Sequence, residues 1–285
     1  MTNTAPETDG EVNQYTAFPK DKNGAFVDPH PEPNEAGQAK TPAVKILGKS
    51  KSSRTCRPIQ IFYVNGIRTN ADEHRRAARH LATIAGQSVL GVFNKSGGTA
   101  SDFKQCLQDW TLRVGRTMDL GKTLARSLVK VQSKHKSGKA ASYELQKVGE
   151  TWLSHNPASV SLFRKLWGLA DSITLTIIVC HSQGNLITAN ACWALKQLRE
   201  TASMGNIHVF GLASPNPSWP PNNEGGFAFN LYRDRGDIVP YASIPAAGMK
   251  TKDTNSFLYH PLKYHGVADH LNREDFQSDL FDVLG

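Results

Sequence analysis

A serine stands at the centre of Cys180-His181-Ser182-Gln183-Gly184, between two segments of opposite periodicity. Residues 173–179 form a short β-branched apolar run, the pattern of a strand buried on both faces. Beyond the break, Leu186, Ile187, Asn190, Ala191, Ala194, Leu195 and Leu198 recur at helical spacing. Strand, sharp turn and helix, with a serine at the apex, is the setting of a nucleophile elbow. A serine hydroxyl is a weak nucleophile that must stand clear of the backbone with a base beside it. Such a turn raises Ser182 above the sheet edge and leaves the Gln183 N–H at a helix N-terminus, where the dipole and spare donors can hold an oxyanion. Gly184 lets strand and helix approach closely. The plainer alternative is that Ser182 only caps the helix. Cys180 occupies the first small position of the motif, where glycine is commonest.

On this stretch the chain resembles the α/β-hydrolase family, in particular its serine lipases and esterases. The resemblance covers roughly residue 57 to the C-terminus. It implies a triad in the chain order serine, acid, histidine. The acid then lies in Asp234-Arg235-Gly236-Asp237-Ile238-Val239-Pro240, just past a strand. There Asp237 matches the family's acid loop and Asp234 is the alternative. Either aspartate could instead serve the turn at Gly236. The base lies in His265-Gly266-Val267-Ala268-Asp269-His270-Leu271. The family's loop-then-helix pattern gives His265 as the base and puts His270 at an aromatic position, His270 remaining the alternative base. His181 reads as a packing residue. A second oxyanion donor follows an early strand in the family, often at a His-Gly pair. Here the stretch is Val64-Asn65-Gly66-Ile67, so the donor would be the N–H of Gly66 or Ile67. The segment from Asn94 to Gly98 also ends a strand, and lines the pocket or forms a plain glycine-rich turn.

The elements that must carry these residues alternate. Strands are expected at 58–65, 87–93, 206–213 and 226–233 besides the one before Ser182, and helices at 72–86 and 160–169. A closing helix is expected over 267–283. The order strand, helix, strand implies a parallel sheet with right-handed crossovers. The expected architecture is an α/β-hydrolase-type three-layer sandwich with a mostly parallel sheet of about five or six strands. Residues 1–55, rich in Pro, Asn, Asp, Lys and Gly, read as a flexible arm with ordered structure from about Arg57. The domain then spans 56–285, with a helical insertion at about 99–170 ahead of the elbow. In the insertion Trp152, Leu162, Phe163, Leu166 and Trp167 suggest an acyl-binding cap.

The chain has 285 residues, 39% of them hydrophobic, enough for a sizeable core. Its four cysteines (Cys56, Cys106, Cys180, Cys192) form no C-x-x-C pair and read as packed thiols rather than a disulfide framework or metal site. No apolar run reaches the length of a membrane span, and residues 1–18 lack the basic start and apolar core of a secretory signal. The cytoplasm is the default location, signal-independent export leaving no trace in a sequence. A formal charge of +8 suggests affinity for anionic surfaces. The basic run at 122–139 could rest on anionic lipid head groups, a solvated face being the plainer account. It lacks interleaved aromatics, so no nucleic acid is expected. The function expected is hydrolysis of a small-molecule or lipid ester, as a lipase, phospholipase or esterase, with no cofactor needed. Two alternatives stand beside it: an exported lipase effector, and a binding module on a hydrolase fold that has lost catalysis.

Overall fold

The computed structural model describes residues 12–15, 57–95, 126–131, 133–134, 138–170, 172–199, 202–215, 219–220, 227–234, 251–254 and 266–285. Among the described residues, seven strands form one sheet in the order β1-β3-β2-β4-β5-β6-β7. They are β1 (Val12–Tyr15), β2 (Ile59–Val64), β3 (Val89–Val92), β4 (Leu175–His181), β5 (Ile207–Leu212), β6 (Ala228–Asp234) and β7 (Thr251–Thr254). All neighbours pair in parallel except β1, which runs antiparallel to β3. The helices are α1 (Ala71–Ala85), α2 (Lys139–Trp152), α3 (Pro157–Leu169), α4 (Gly184–Leu198), α5 (Val267–Leu271) and α6 (Glu274–Leu284). Residues 126–131 are also helical. No helix among the described residues is long and apolar enough to cross a membrane.

Side chains that alternate along a strand go to opposite faces, and the sheet divides its core accordingly. Ile61, Tyr63, Val89, Ile177 and Val179 meet α1, α5 and α6 through Ala78, Leu81, Leu271, Phe276 and Leu280. Phe62, Val64, Val92, Ile178 and Cys180 meet α3 and α4 through Leu162, Phe163, Leu166, Ile187, Leu195 and Leu198. Helix, sheet, helix is thus a three-layer α/β architecture, consistent with the α/β-hydrolase type. The chain leaves β2 for β3 on one side, and β4 then takes the place on β2's other side. The carboxyl ends of β2 and β4 therefore flank a topological switch point, where open α/β sheets bind their ligands.

Four expectations are corrected. The described part of the insertion is helical, but α3 belongs to the core. Leu162, Phe163, Leu166 and Trp167 are buried between the sheet and α4, and Trp152 packs against the same cluster, so these residues do not line an acyl site. The closing helix is two helices. Asn272 and Arg273 interrupt it, with Arg273 extended at φ −70° and ψ 131°, and the Gln277 Nε2 donating to the Leu271 carbonyl freed by the break. Within the polar N-terminal stretch, Val12–Tyr15 is an edge strand, so described structure begins before Arg57. The strand before Ser182 begins at Leu175, opposite Ile59, which leaves Ile173 outside it and 74% exposed.

Candidate active site

The turn after β4 is strained at the serine. Ser182 has φ 54°, a left-handed backbone that β-carbon-bearing residues avoid at a cost of about 1–3 kcal/mol. The residue in the N-cap position of α4 is Gln183, with helical dihedrals and no side-chain cap bond. Helix capping, which uses an extended residue, therefore does not describe Ser182. The Ser182 N–H donates to the Leu212 carbonyl at 3.0 Å, and its own carbonyl accepts from the Asn185 N–H at 3.0 Å. Two more non-glycine residues share the left-handed conformation, Arg68 beyond β2 and Ala213 beyond β5. The strain is gathered along the carboxyl edge of neighbouring strands.

Close approach at two glycines fixes β2 against this turn. A Cβ on Gly184 would fall 2.3 Å from the Val64 carbonyl oxygen and 2.9 Å from that of Asn65. One on Gly66 would fall 2.6 Å from Ser182 Cβ and 3.2 Å from Ser182 Oγ. The Gly66 main chain thus lies directly against the serine hydroxyl. Gln183, on the other side, begins a helix whose first N–H groups lack intrahelical acceptors.

Asn185 binds the turn to the neighbouring strand. Its Nδ2 donates to the carbonyls of Ser182 and Leu212, each at 2.9 Å. Its Oδ1 accepts from Cys180 Sγ at 3.3 Å. Cys180 is fully buried, and burial pushes its thiol up to about 12. Thiol nucleophiles act as thiolates, so the residue at the motif's first position is packing with a weak donor. Asn65, just past β2, is buried too. Its Nδ2 donates to the carbonyls of Gly66 and Asn94, and its Oδ1 accepts from the Asn94 N–H.

His181 and His270 pack against each other on the sheet side of α5, ring centroids 5.7 Å apart. Both are buried, His270 completely. Leu271 enters the core on the same face as α1. The short helix is held by its successor, whose Phe276 sits edge-on to Phe210 and Tyr232. Tyr232 Oη donates to Asp279 Oδ2 at 2.5 Å.

Of the residues singled out in the sequence, the structure brings together Ser182, Gln183 and Gly66 at the ends of β4 and β2, with Ile67 next in the turn. Asp234 is the last residue of β6, paired with Thr254 at the end of β7, and its side chain lies outside the described residues. So do Asp237, three positions on, and His265, which falls between β7 and α5. Because β6 and β7 run parallel to β4, both connections start from the edge that carries Ser182. Strand β7 falls between Asp234 and His265, where the sequence predicts no strand. Asn185 was missed altogether, although a carboxamide among Gly184, Leu186 and Ile187 breaks an otherwise apolar helix start.

No family model matches the chain, and no curated protein matches it. Among solved structures, the Pyrobaculum calidifontis esterase in its monoclinic form aligns with 80% of this chain and 76% of its own, at 8% identity and a TM-score of 0.40.

Proposed function

We propose that the chain is a serine hydrolase that cleaves carboxylic esters through an acyl-enzyme. The observation that carries this reading is the left-handed Ser182 at a strand-to-helix turn with the Gly66 main chain against its hydroxyl. Strain of this kind persists where the surrounding structure over-determines it, and it clusters at functional sites. In this reading Ser182 Oγ attacks the ester carbonyl while His265 takes its proton. Asp237 holds the imidazole in the required tautomer, with Asp234 the alternative acid and His270 the alternative base. The oxyanion rests on the N–H of Gln183 and that of Gly66 or Ile67. His265 returns the proton to the departing alkoxide, and water, activated by the same base, releases the acid and restores Ser182. Cys180 and Asn65, which depart from the commonest family pattern, each have a packing partner that explains them.

Hydrolysis of a p-nitrophenyl ester series of rising chain length tests this. Wild type is expected to turn over at least one member. Ser182→Ala is expected to lose about three orders of magnitude or more in kcat, in line with loss of a triad nucleophile. A fluorophosphonate is expected to label Ser182 and not the alanine variant. The chain-length optimum separates an esterase from a lipase. A wild type that neither turns over an ester nor takes the label is instead a non-catalytic module.

A further inference from the structure

We propose that Asn94, at the end of β3, is a positioning residue for the oxyanion-binding amide of Gln183; this rests on the hydrolase reading above. The observation is a buried chain of three carboxamides across the switch point. Asn65, Asn94 and Gln183 are each no more than 1% exposed. Asn94 Nδ2 donates to Gln183 Oε1 at 3.0 Å. Asn94 is itself gripped through its main chain, its N–H donating to Asn65 Oδ1 and its carbonyl accepting from Asn65 Nδ2, both at 2.8 Å. The same Asn65 Nδ2 lies 2.9 Å from the Gly66 carbonyl.

The pairing of β2 with β3 ends at Val64 and Val92. The Asn65 side chain extends it past the last rung and so fixes where Asn94 stands. Asn94 then reaches sideways to the residue after the nucleophile. The two segments assigned to the oxyanion, Gly66 and Gln183, are in this way joined through side chains to one point two residues past β3. Three amides would be an expensive way to fill apolar volume, since each buried polar group must be matched. They are suited to fixing directions. An oxyanion donor works only if its N–H already points to where charge develops, and Gln183 follows a strained residue whose backbone alone does not guarantee that. A side-chain bond on one flank and the α4 helix on the other both restrict the residue that carries this N–H.

The test compares wild type, Asn94→Leu, Gln183→Met and their double variant on the best p-nitrophenyl ester, with thermal melting of each. The rate of Ser182 phosphonylation by a fluorophosphonate is followed as well. That reaction also develops charge on an oxygen, as serine attacks phosphorus and fluoride leaves, so it reads the same donors. Either single substitution is expected to lower kcat and the phosphonylation rate about ten- to a hundredfold, with KM within about twofold of wild type. The double variant is expected to fall no further than the worse single one, because both remove one link. Asn94→Asp, whose carboxylate has no N–H for Gln183 Oε1 and would bury a negative charge near the oxyanion, is expected to be no faster than Asn94→Leu. A merely structural asparagine would show none of this pattern. Unchanged kcat and labelling in Gln183→Met or in a folded Asn94→Leu, or losses that multiply in the double variant, overturn the assignment. If Asn94→Leu does not fold, Gln183→Met and Asn94→Asp decide on the same criteria. A wild type without turnover or label overturns the hydrolase reading itself, which a labelled wild type with indifferent variants does not.

Discussion

Holding a serine at φ 54° opposes folding by about 1–3 kcal/mol, and one side chain does much to offset it. Asn185 gives a second donor to two buried carbonyls, of Ser182 and Leu212, each of which also accepts a main-chain N–H. Gly211 leaves it the space, since a Cβ there would fall 2.5 Å from Asn185 Oδ1. Asn185→Leu leaves both carbonyls buried without this donor and is expected to lower stability by about 2–4 kcal/mol, read from urea midpoints at constant slope. Asn185→Asp should be no better, because a carboxylate has no N–H to give. An aspartate variant as stable as wild type would show that the amide is not the clamp. A second residue-scale expectation concerns His74, buried in α1 with its ring 5.3 Å from Tyr63 and 5.2 Å from Phe93. Burial, aided by Arg75, lowers its pKa from 6.5 to about 3. The folded state thus binds fewer protons than the unfolded one. Its stability contribution is whole above pH 6.5 and is lost as pH falls toward 3. His74→Met removes this titration, so its melting temperature should fall less between pH 7 and pH 4.5 than that of wild type. Parallel curves for the two proteins would exclude His74 as the source.

At the scale of elements, what the sequence discloses is what periodicity can carry. Strands β2, β4 and β5 are buried apolar runs and were legible to within two residues, as was α1, whose Asn70 and Glu73 form a capping box. The strands that escaped are polar and lie at the edges. VNQY and TKDT have one neighbour each, need no continuous apolar run, and so leave none to read. The break at Asn272 was hidden for another reason. Leu271 and Phe276 both enter the core, but on a straight helix they would point about 140° apart, and only the core's shape shows that both must be buried. The site divides in the same way. Ser182 and its turn were readable because strand, turn and helix are contiguous. Asn94 with Gln183 was not, because the bond joins positions 89 apart in the chain. Helix α2 was also unread, and it yields a prediction of its own. Gly149 lies inside it, where alanine would ordinarily add up to about 1 kcal/mol of helix stability. Its Cβ would meet Phe163 Cζ at 2.3 Å and Leu198 Cδ1 at 3.0 Å, in a region where Phe163 is fully buried. Overpacking of about 1–3 kcal/mol should reverse the sign. Gly149→Ala is expected to destabilise in urea, with Phe163→Leu beside it recovering part of the loss. A more stable Gly149→Ala would mean that α2 does not pack this closely.

For the whole molecule, the parallel arrangement of β2 through β7 sends every strand's carboxyl end to one edge, and the ends of β2, β3 and β4 meet there in Ser182, Gly66 and the amide chain. The opposite need is to close the sheet sideways. Beyond β3 the only described cover is β1, paired antiparallel from Val12 with Val92 to Tyr15 with Val89. An unpaired edge strand exposes a row of main-chain donors and acceptors to other chains. Here that row would belong to the strand that ends, two residues on, in Asn94. The N-terminal stretch therefore has two consequences that its polar composition does not suggest. Removing residues 1–20 is expected to lower the melting temperature and to promote association, seen as a rising apparent mass in light scattering at increasing concentration. If the chain is the ester hydrolase proposed above, the truncation is also expected to reduce turnover at protein concentrations where the truncated chain is still monomeric, because β3 then loses one of its two partners while leading into Asn94, which bonds Gln183. If the truncated chain melts with wild type, stays monomeric and keeps its rate, the N-terminal stretch is a dispensable arm and β3 is held by β2 alone. Loss of rate without association would place the effect in β3's position, and association without loss of rate would confine it to the bare edge.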